Sequence, residues 1–150
     1  MIEAEQVRRA TVTWTGNLAS GSGRVSAASS RAFSELPVTW ASRTESPDGS
    51  TSPEELIAAA HASCFSMAFS SALTKDGTPP GSLEVTATVT FAKDETRWSI
   101  ASSHLEVRGR VEGSNQAAFA DAAERAKDGC PVSRALKGNV ELSVSATLEG

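Results

Sequence analysis

Two cysteines and two histidines hold most of the reactive chemistry in this 150-residue chain: Cys64, Cys130, His61 and His104. The cysteines lie far apart in sequence, so they are not a C-x-x-C redox pair. Cys130 is followed by Pro131, a residue suited to the first position of a helix. That places Cys130 at or just before a helix N-terminus, where oriented N–H groups favour a thiolate. Cys64 sits within an alanine-rich run, 52–73, where the backbone offers no such help. To ionise, it needs a cation beside it. A neighbouring arginine lowers an acid's pKa by roughly one to three units and keeps its own charge while doing so. Without one, Cys64 is a small buried hydrophobe. His61 precedes Cys64 by three residues and shares its helix face. Its open roles are base, metal ligand or hydrogen-bonded core histidine, the last being the commonest. His61, Cys64, His104 and Cys130 also have the donor types of a four-ligand zinc site, at wide spacings.

The run that carries Cys64 has its own start signal. Ser52 suits an N-cap, Pro53 the first helical position, and Glu55 completes a capping box with Ser52. Leu56, Ile57, Phe65, Met67, Phe69 and Leu73 do not keep to one stripe, which predicts a central helix buried nearly all round. Before it, alternation predicts a strand over 7–14, a short one over 24–28, and a third over 33–40 weakened by Pro37. Residues 42–51 contain Ser46-Pro47-Asp48-Gly49-Ser50 and read as a turn.

After the helix, Leu83, Val85, Ala87, Val89 and Phe91 alternate with polar residues and predict a half-buried strand over 82–91. Trp98 begins the next strand, continued by Leu105, Val107, Gly109 and Val111. Residues 115–127 read as a second helix ended by Gly129, followed by the turn from Cys130-Pro131 and a last strand over 140–148. Strands, helix, strands, helix, strand make an α+β domain rather than repeated βαβ units. No internal repeat or linker is visible, so 1–150 reads as one domain.

Composition narrows the function classes. The net charge of −4 implies no basic surface for nucleic acid. No apolar run free of polar residues is long enough to span a bilayer, and the acidic, polar first residues are unlike a signal peptide. A cytoplasmic protein is expected. In a reducing compartment two cysteines are a reactive pair or two inert thiols, not a structural staple.

The segment 51–67, Thr-Ser-Pro-Glu-Glu-Leu-Ile-Ala-Ala-Ala-His-Ala-Ser-Cys-Phe-Ser-Met, closely resembles the motif around the first cysteine of the OsmC/Ohr family. Cys130-Pro131-Val132-Ser133-Arg134-Ala135-Leu136 resembles the motif around its second. The match covers nearly the whole chain and is nearer the osmotically inducible (OsmC) branch than the organic hydroperoxide resistance (Ohr) branch. The resemblance implies an OsmC-like fold of antiparallel sheets with a long central helix, in an intertwined homodimer. It also implies a thiol-dependent peroxidase acting on organic hydroperoxides, and more weakly on hydrogen peroxide, with no cofactor and no metal. Cys64 would attack the peroxide and Cys130 would close a disulfide with it. A dithiol such as dihydrolipoamide, or a lipoylated protein, would reduce that disulfide.

By the same motif Glu54 matches the catalytic acid, and Arg43 matches the OsmC-branch arginine. Arg24 lies near the glycine-rich region that supplies the Ohr-branch arginine. Arg43 would hold Cys64 as thiolate and Glu54 would fix its guanidinium through a bidentate pair. A pocket lined by Phe65, Met67 or Trp40 would favour organic peroxides by burying their alkyl part. The alternatives are a redox sensor or binding protein using the same thiols without turnover, and a metal-binding structural protein.

Overall fold

The computed structural model describes residues 2–150. Their contacts divide the chain into two compact units, one ending at Pro53 and the other running from Glu54 to Gly150.

The first unit is a three-stranded antiparallel sheet in the order β1-β2-β3: β1 Thr11–Thr15, β2 Ser22–Ser26 and β3 Leu36–Val38. Gly23 in β2 is required by close packing. A Cβ there would meet Val38 Cγ1 at 2.8 Å and the Trp14 ring at 2.9 Å. The third strand is shorter than its pattern predicts. Pro37 cannot donate to a ladder, and β3 sits at the sheet edge, where proline is tolerated. Beyond β3 the chain forms a short helix that the pattern did not predict, α1, Trp40–Thr44, and the predicted turn follows it, with the Ser50 N–H donating to the Pro47 carbonyl oxygen at 2.9 Å. Thr39 caps α1 in a capping box with Ser42, each backbone N–H donating to the other's hydroxyl at 3.0 Å. The Ser42 hydroxyl also lies 2.8 Å from the Thr51 carbonyl oxygen, and the Thr51 N–H donates to the Pro37 carbonyl oxygen at 2.8 Å. These bonds fix the chain just ahead of the long helix.

That helix, α2, spans Pro53–Lys75 without interruption. Glu54 and Glu55 lie in its first turn and Lys75 in its last, both favourable to the helix dipole. Its burial departs from expectation. Within this chain only one stripe is buried, made by Glu54, His61, Phe65, Phe69 and Leu73, while Met67 is 72% exposed. The outer face carries Ala59, Ala60, Ser63, Met67 and Ser71. By length and mean hydropathy α2 is apolar enough to cross a bilayer. Its phenylalanines, however, pack in a folded core with strands and a helix from later in the chain.

The second sheet has the order β4-β5-β6: β4 Ser82–Lys93, β5 Trp98–Arg110 and β6 Glu141–Leu148. The strand predicted to begin at Trp98 and continue through Leu105 is one element, ending at Arg110. β4 and β5 pair antiparallel as expected, but β6 joins β5 in parallel, so the expectation of purely antiparallel sheets needs correction. The reason is the connection. Helices α3, Gln116–Gly129, and α4, Pro131–Leu136, carry the chain back to the start of the sheet, as a parallel neighbour requires.

The inward face of β5, with Leu105 and Val107, meets Phe65, Phe69 and Leu73 of α2 and Phe119, Ala122, Ala123 and Ala126 of α3. Phe69 lies between Phe65 and Phe119, with ring centroids 5.4 and 4.9 Å away. Gly109 leaves room for this layer, since a Cβ would fall 2.5 Å from the Phe119 ring.

Candidate active site

Cys64 projects from the middle of α2 and is partly open, while Cys130 ends α3, caps α4 and is fully buried. Both are free thiols, and each shifts the other's acidity, so the two side chains lie close together. Two cysteines remote in sequence are therefore neighbours in the fold.

Their acidities are pushed in opposite directions. Burial raises the Cys64 thiol above its ordinary value, and Cys130 adds to the rise; the Val132 N–H and the Arg134 charge oppose it only in part. Burial would raise Cys130 too. The N–H of Ser133, the Cys64 thiol, the Ser133 hydroxyl and the Val132 N–H outweigh it, so Cys130 falls below its ordinary value. Within this unit the anion of the pair is favoured on Cys130. The expectation that Cys64 needs an additional cation to ionise follows from its surroundings as well as from its place in mid-helix.

His61 is a core histidine. Its Nδ1 lies 2.7 Å from the Ser103 hydroxyl of β5, and its Nε2 lies 2.8 Å from the Ser133 hydroxyl of α4. Burial pushes it below 6.5 and keeps the ring neutral. With both nitrogens engaged it has no lone pair left for a metal. His104 bonds Ser143 at 2.6 Å and Ser145 at 3.3 Å. No cluster of three or more metal-ligating side chains occurs among the described residues, so the four-ligand zinc arrangement is not assembled.

Arg43 lies in the last turn of α1, with its guanidinium carbon 5.9 Å from the Trp40 ring centroid, a cation–π contact. Glu54 is buried, 6% exposed, in the first turn of α2. Arg24 is an exposed β2 residue whose Nη1 lies 3.5 Å from the Glu35 carbonyl oxygen. Of the predicted pocket residues, Phe65 is excluded, because it is fully buried in the core.

Sequence reasoning missed Ser103 and Ser133. Ser133 had a signal, since it stands three residues after Cys130, the N3 position whose N–H points at the cap residue. Ser103 had none; only folding sets it against His61.

A family model described as OsmC-like protein matches residues 46–145. "Peroxiredoxin OsmC" of Escherichia coli is 39% identical over 129 residues, covering 86% of this chain and 89% of the relative. "Organic hydroperoxide resistance protein-like 2" of Staphylococcus epidermidis is 28% identical over 99 residues, covering 66% of this chain and 69% of the relative. The crystal structure of an organic hydroperoxide resistance protein from Elizabethkingia anophelis superposes with a TM-score of 0.76 at 22% identity, covering 99% of this chain and 100% of that one. With its two-cysteine site and its sheet-and-helix architecture, this chain belongs to the OsmC-like family.

Proposed function

We propose that the chain is a thiol-dependent peroxidase for organic hydroperoxides, with weaker action on hydrogen peroxide, in which Cys64 attacks and Cys130 resolves. The observation that carries this reading is the thiol pair itself. The two side chains are close enough to shift each other's acidity, Cys64 is partly open, and Cys130 is fully buried, so a peroxide meets Cys64 first. The relatives named peroxiredoxin and organic hydroperoxide resistance protein point to the same chemistry.

The Cys64 thiolate attacks one peroxide oxygen. An S–O bond forms, the O–O bond breaks, and the alkoxide leaves as alcohol after taking a proton. Cys64 is left as sulfenic acid. Cys130 sulfur then attacks Cys64 sulfur, and hydroxide departs as water. A dithiol, dihydrolipoamide or a lipoylated protein, restores both thiols by exchange.

Because its own unit pushes the Cys64 thiol upward, the attack requires a further cation. We assign that role to Arg43, aligned by Glu54. Glu54 and Cys64 are ten residues apart on one unbroken helix, which is ~15 Å of axial rise. One arginine cannot hold both groups of one chain. The assignment therefore calls for a homodimer in which Glu54 of one chain serves Cys64 of the other. The outer face of α2, with its small residues and exposed Met67, supports a partner chain there.

Steady-state turnover of cumene hydroperoxide against hydrogen peroxide, with dihydrolipoamide as reductant, tests the reading. Faster consumption of cumene hydroperoxide is expected, with none in Cys64→Ser, a variant that keeps its circular dichroism. Full activity in that variant, or a thiol pair that oxidises once without turnover, overturns it.

A further inference from the structure

We propose that His61 is a positioning residue for the resolving step: through Ser133 it pins α4, which begins at Cys130, against the turn of α2 that carries Cys64, while Ser103 of β5 holds the ring in place. This rests on the reading of Cys130 as the resolving thiol.

The helix next to the resolving cysteine has little of its own to hold it. α4 is six residues long, Pro131–Leu136, too short to be stable by itself. Apolar burial would ordinarily anchor such a helix, but its buried residue is a serine, Ser133, 2% exposed. Val132 is only partly buried against the core. Cys130 ends α3 and starts α4 at once. Its N–H donates to the Ala126 carbonyl oxygen at 2.9 Å, and its own carbonyl oxygen accepts from the Arg134 N–H at 3.0 Å. Where α4 goes, Cys130 goes with it.

His61 makes the attachment that apolar packing does not. Its Nε2 lies 2.8 Å from Ser133 Oγ and its Nδ1 lies 2.7 Å from Ser103 Oγ, partners 72 and 42 residues away in sequence. Ser103 and His61 are both 0% exposed. An unpaired ring nitrogen or hydroxyl is costly in such surroundings, so both bonds are held. Either ring tautomer serves, because a serine hydroxyl can donate or accept. The ring cannot turn away from α4 without also breaking its bond to β5.

The spacing on each side matches the two thiols. His61 stands three residues before Cys64, on the same face of α2. Ser133 stands three residues after Cys130, in the first turn of α4. The His61–Ser133 bond therefore joins the turn of the attacking thiol to the turn that follows the resolving one. A disulfide demands such placement, with Cα atoms about 4.4–6.8 Å apart.

In the resolving step Cys130 sulfur attacks the sulfenic sulfur of Cys64. The S–S bond forms, the S–O bond breaks, and the hydroxide leaves as water with the Cys130 proton. A second peroxide competes for the same sulfenic acid and takes it to sulfinic acid. Holding the two sulfurs within reach makes closure effectively unimolecular, so the pin favours the disulfide over that loss.

The test needs no peroxide. Equilibrium between the dithiol and the Cys64–Cys130 disulfide in glutathione redox buffers gives the effective concentration of one thiol at the other. Loss of one hydrogen bond of ordinary net strength corresponds to about a fivefold fall. Ser133→Ala and His61→Asn should each show that fall, and the double variant should fall no further, since all three lack the same bond. Val107→Ala, a core truncation outside the pin, should lower the denaturant midpoint and leave the effective concentration unmoved. In Ser133→Ala, amide exchange at Arg134 and Lys137, whose N–H groups bond to Cys130 and Ser133, should quicken while α3 keeps its protection. An unmoved effective concentration in Ser133→Ala, a double variant that falls by the product of the two singles, or an equal fall in Val107→Ala overturns the pin and leaves the peroxidase reading standing. A wild-type chain that forms no Cys64–Cys130 disulfide overturns both.

Discussion

Replacing Arg43 by alanine is expected to cost Cys64 most of its thiolate at neutral pH. Within its own unit the Cys64 thiol lies above the ordinary 9.0, because burial outweighs the Val132 N–H and the Arg134 charge. At pH 7 a thiol of that strength is at most about 1% ionised. A guanidinium in contact that lowers it by about two units brings it to at most half ionised, a gain in thiolate of roughly 50- to 100-fold. Intrinsic nucleophilicity falls with pKa, by about 8-fold over two units. The net loss in Arg43→Ala is then roughly 6- to 12-fold in alkylation rate at pH 7. The deficit should shrink as pH rises, and well above neutral pH the variant should react faster, because its thiolate is more basic. The assay is the pH profile of iodoacetamide alkylation in a Cys130→Ser background, where Cys64 is the single thiol. Crossing profiles support Arg43. Superimposed profiles refute it, and a shift in Arg24→Ala instead moves the role to Arg24.

The same geometry sets other expectations. Cys130→Ser should react once with peroxide and then climb to sulfinic acid at Cys64, since no thiol traps the sulfenic form; mass spectrometry of the Cys64 peptide should show the added oxygens. Glu54→Gln and Cys64→Ser chains, mixed after unfolding, should regain activity, because each mixed dimer rebuilds one site with both groups; a mixture as inactive as its parents excludes shared sites. His61 is held below 6.5 in the fold, so the unfolded chain binds more protons in acid, and its contribution to stability is full above pH 6.5 and lost as pH falls through the folded value. Denaturant midpoints should fall over that window, and His61→Gln should flatten the fall.

The local elements were legible because their signals are local. The alternation through Leu83, Val85, Ala87 and Val89 marks β4, Asn115 caps α3 through the Ala118 N–H, and Cys130-Pro131 marks the start of α4. Membership in the OsmC-like family was equally legible, since the two cysteine motifs are contiguous stretches. The helix α1 was missed although Thr39 and Ser42 have capping-box spacing, because five residues carry too little periodicity to stand out from the turn beside them.

Other features belonged to the tertiary structure alone. Alternation along β6 is identical for parallel and antiparallel pairing; the crossover through α3 and α4 decides it. The all-round apolarity of α2 predicted complete burial, but this chain supplies core for only one stripe. A hydrogen-bonded core histidine was one of three readings of His61 until folding brought Ser103 and Ser133 to its two nitrogens. The acidity of the thiols was hidden for the same reason. A sequence shows which side chains can ionise, but the charge each one carries depends on burial and on donors that folding delivers from other elements. For Cys130 folding sets the backbone of α4, the Ser133 side chain and the thiol of Cys64 close enough to hold it below its ordinary value despite burial.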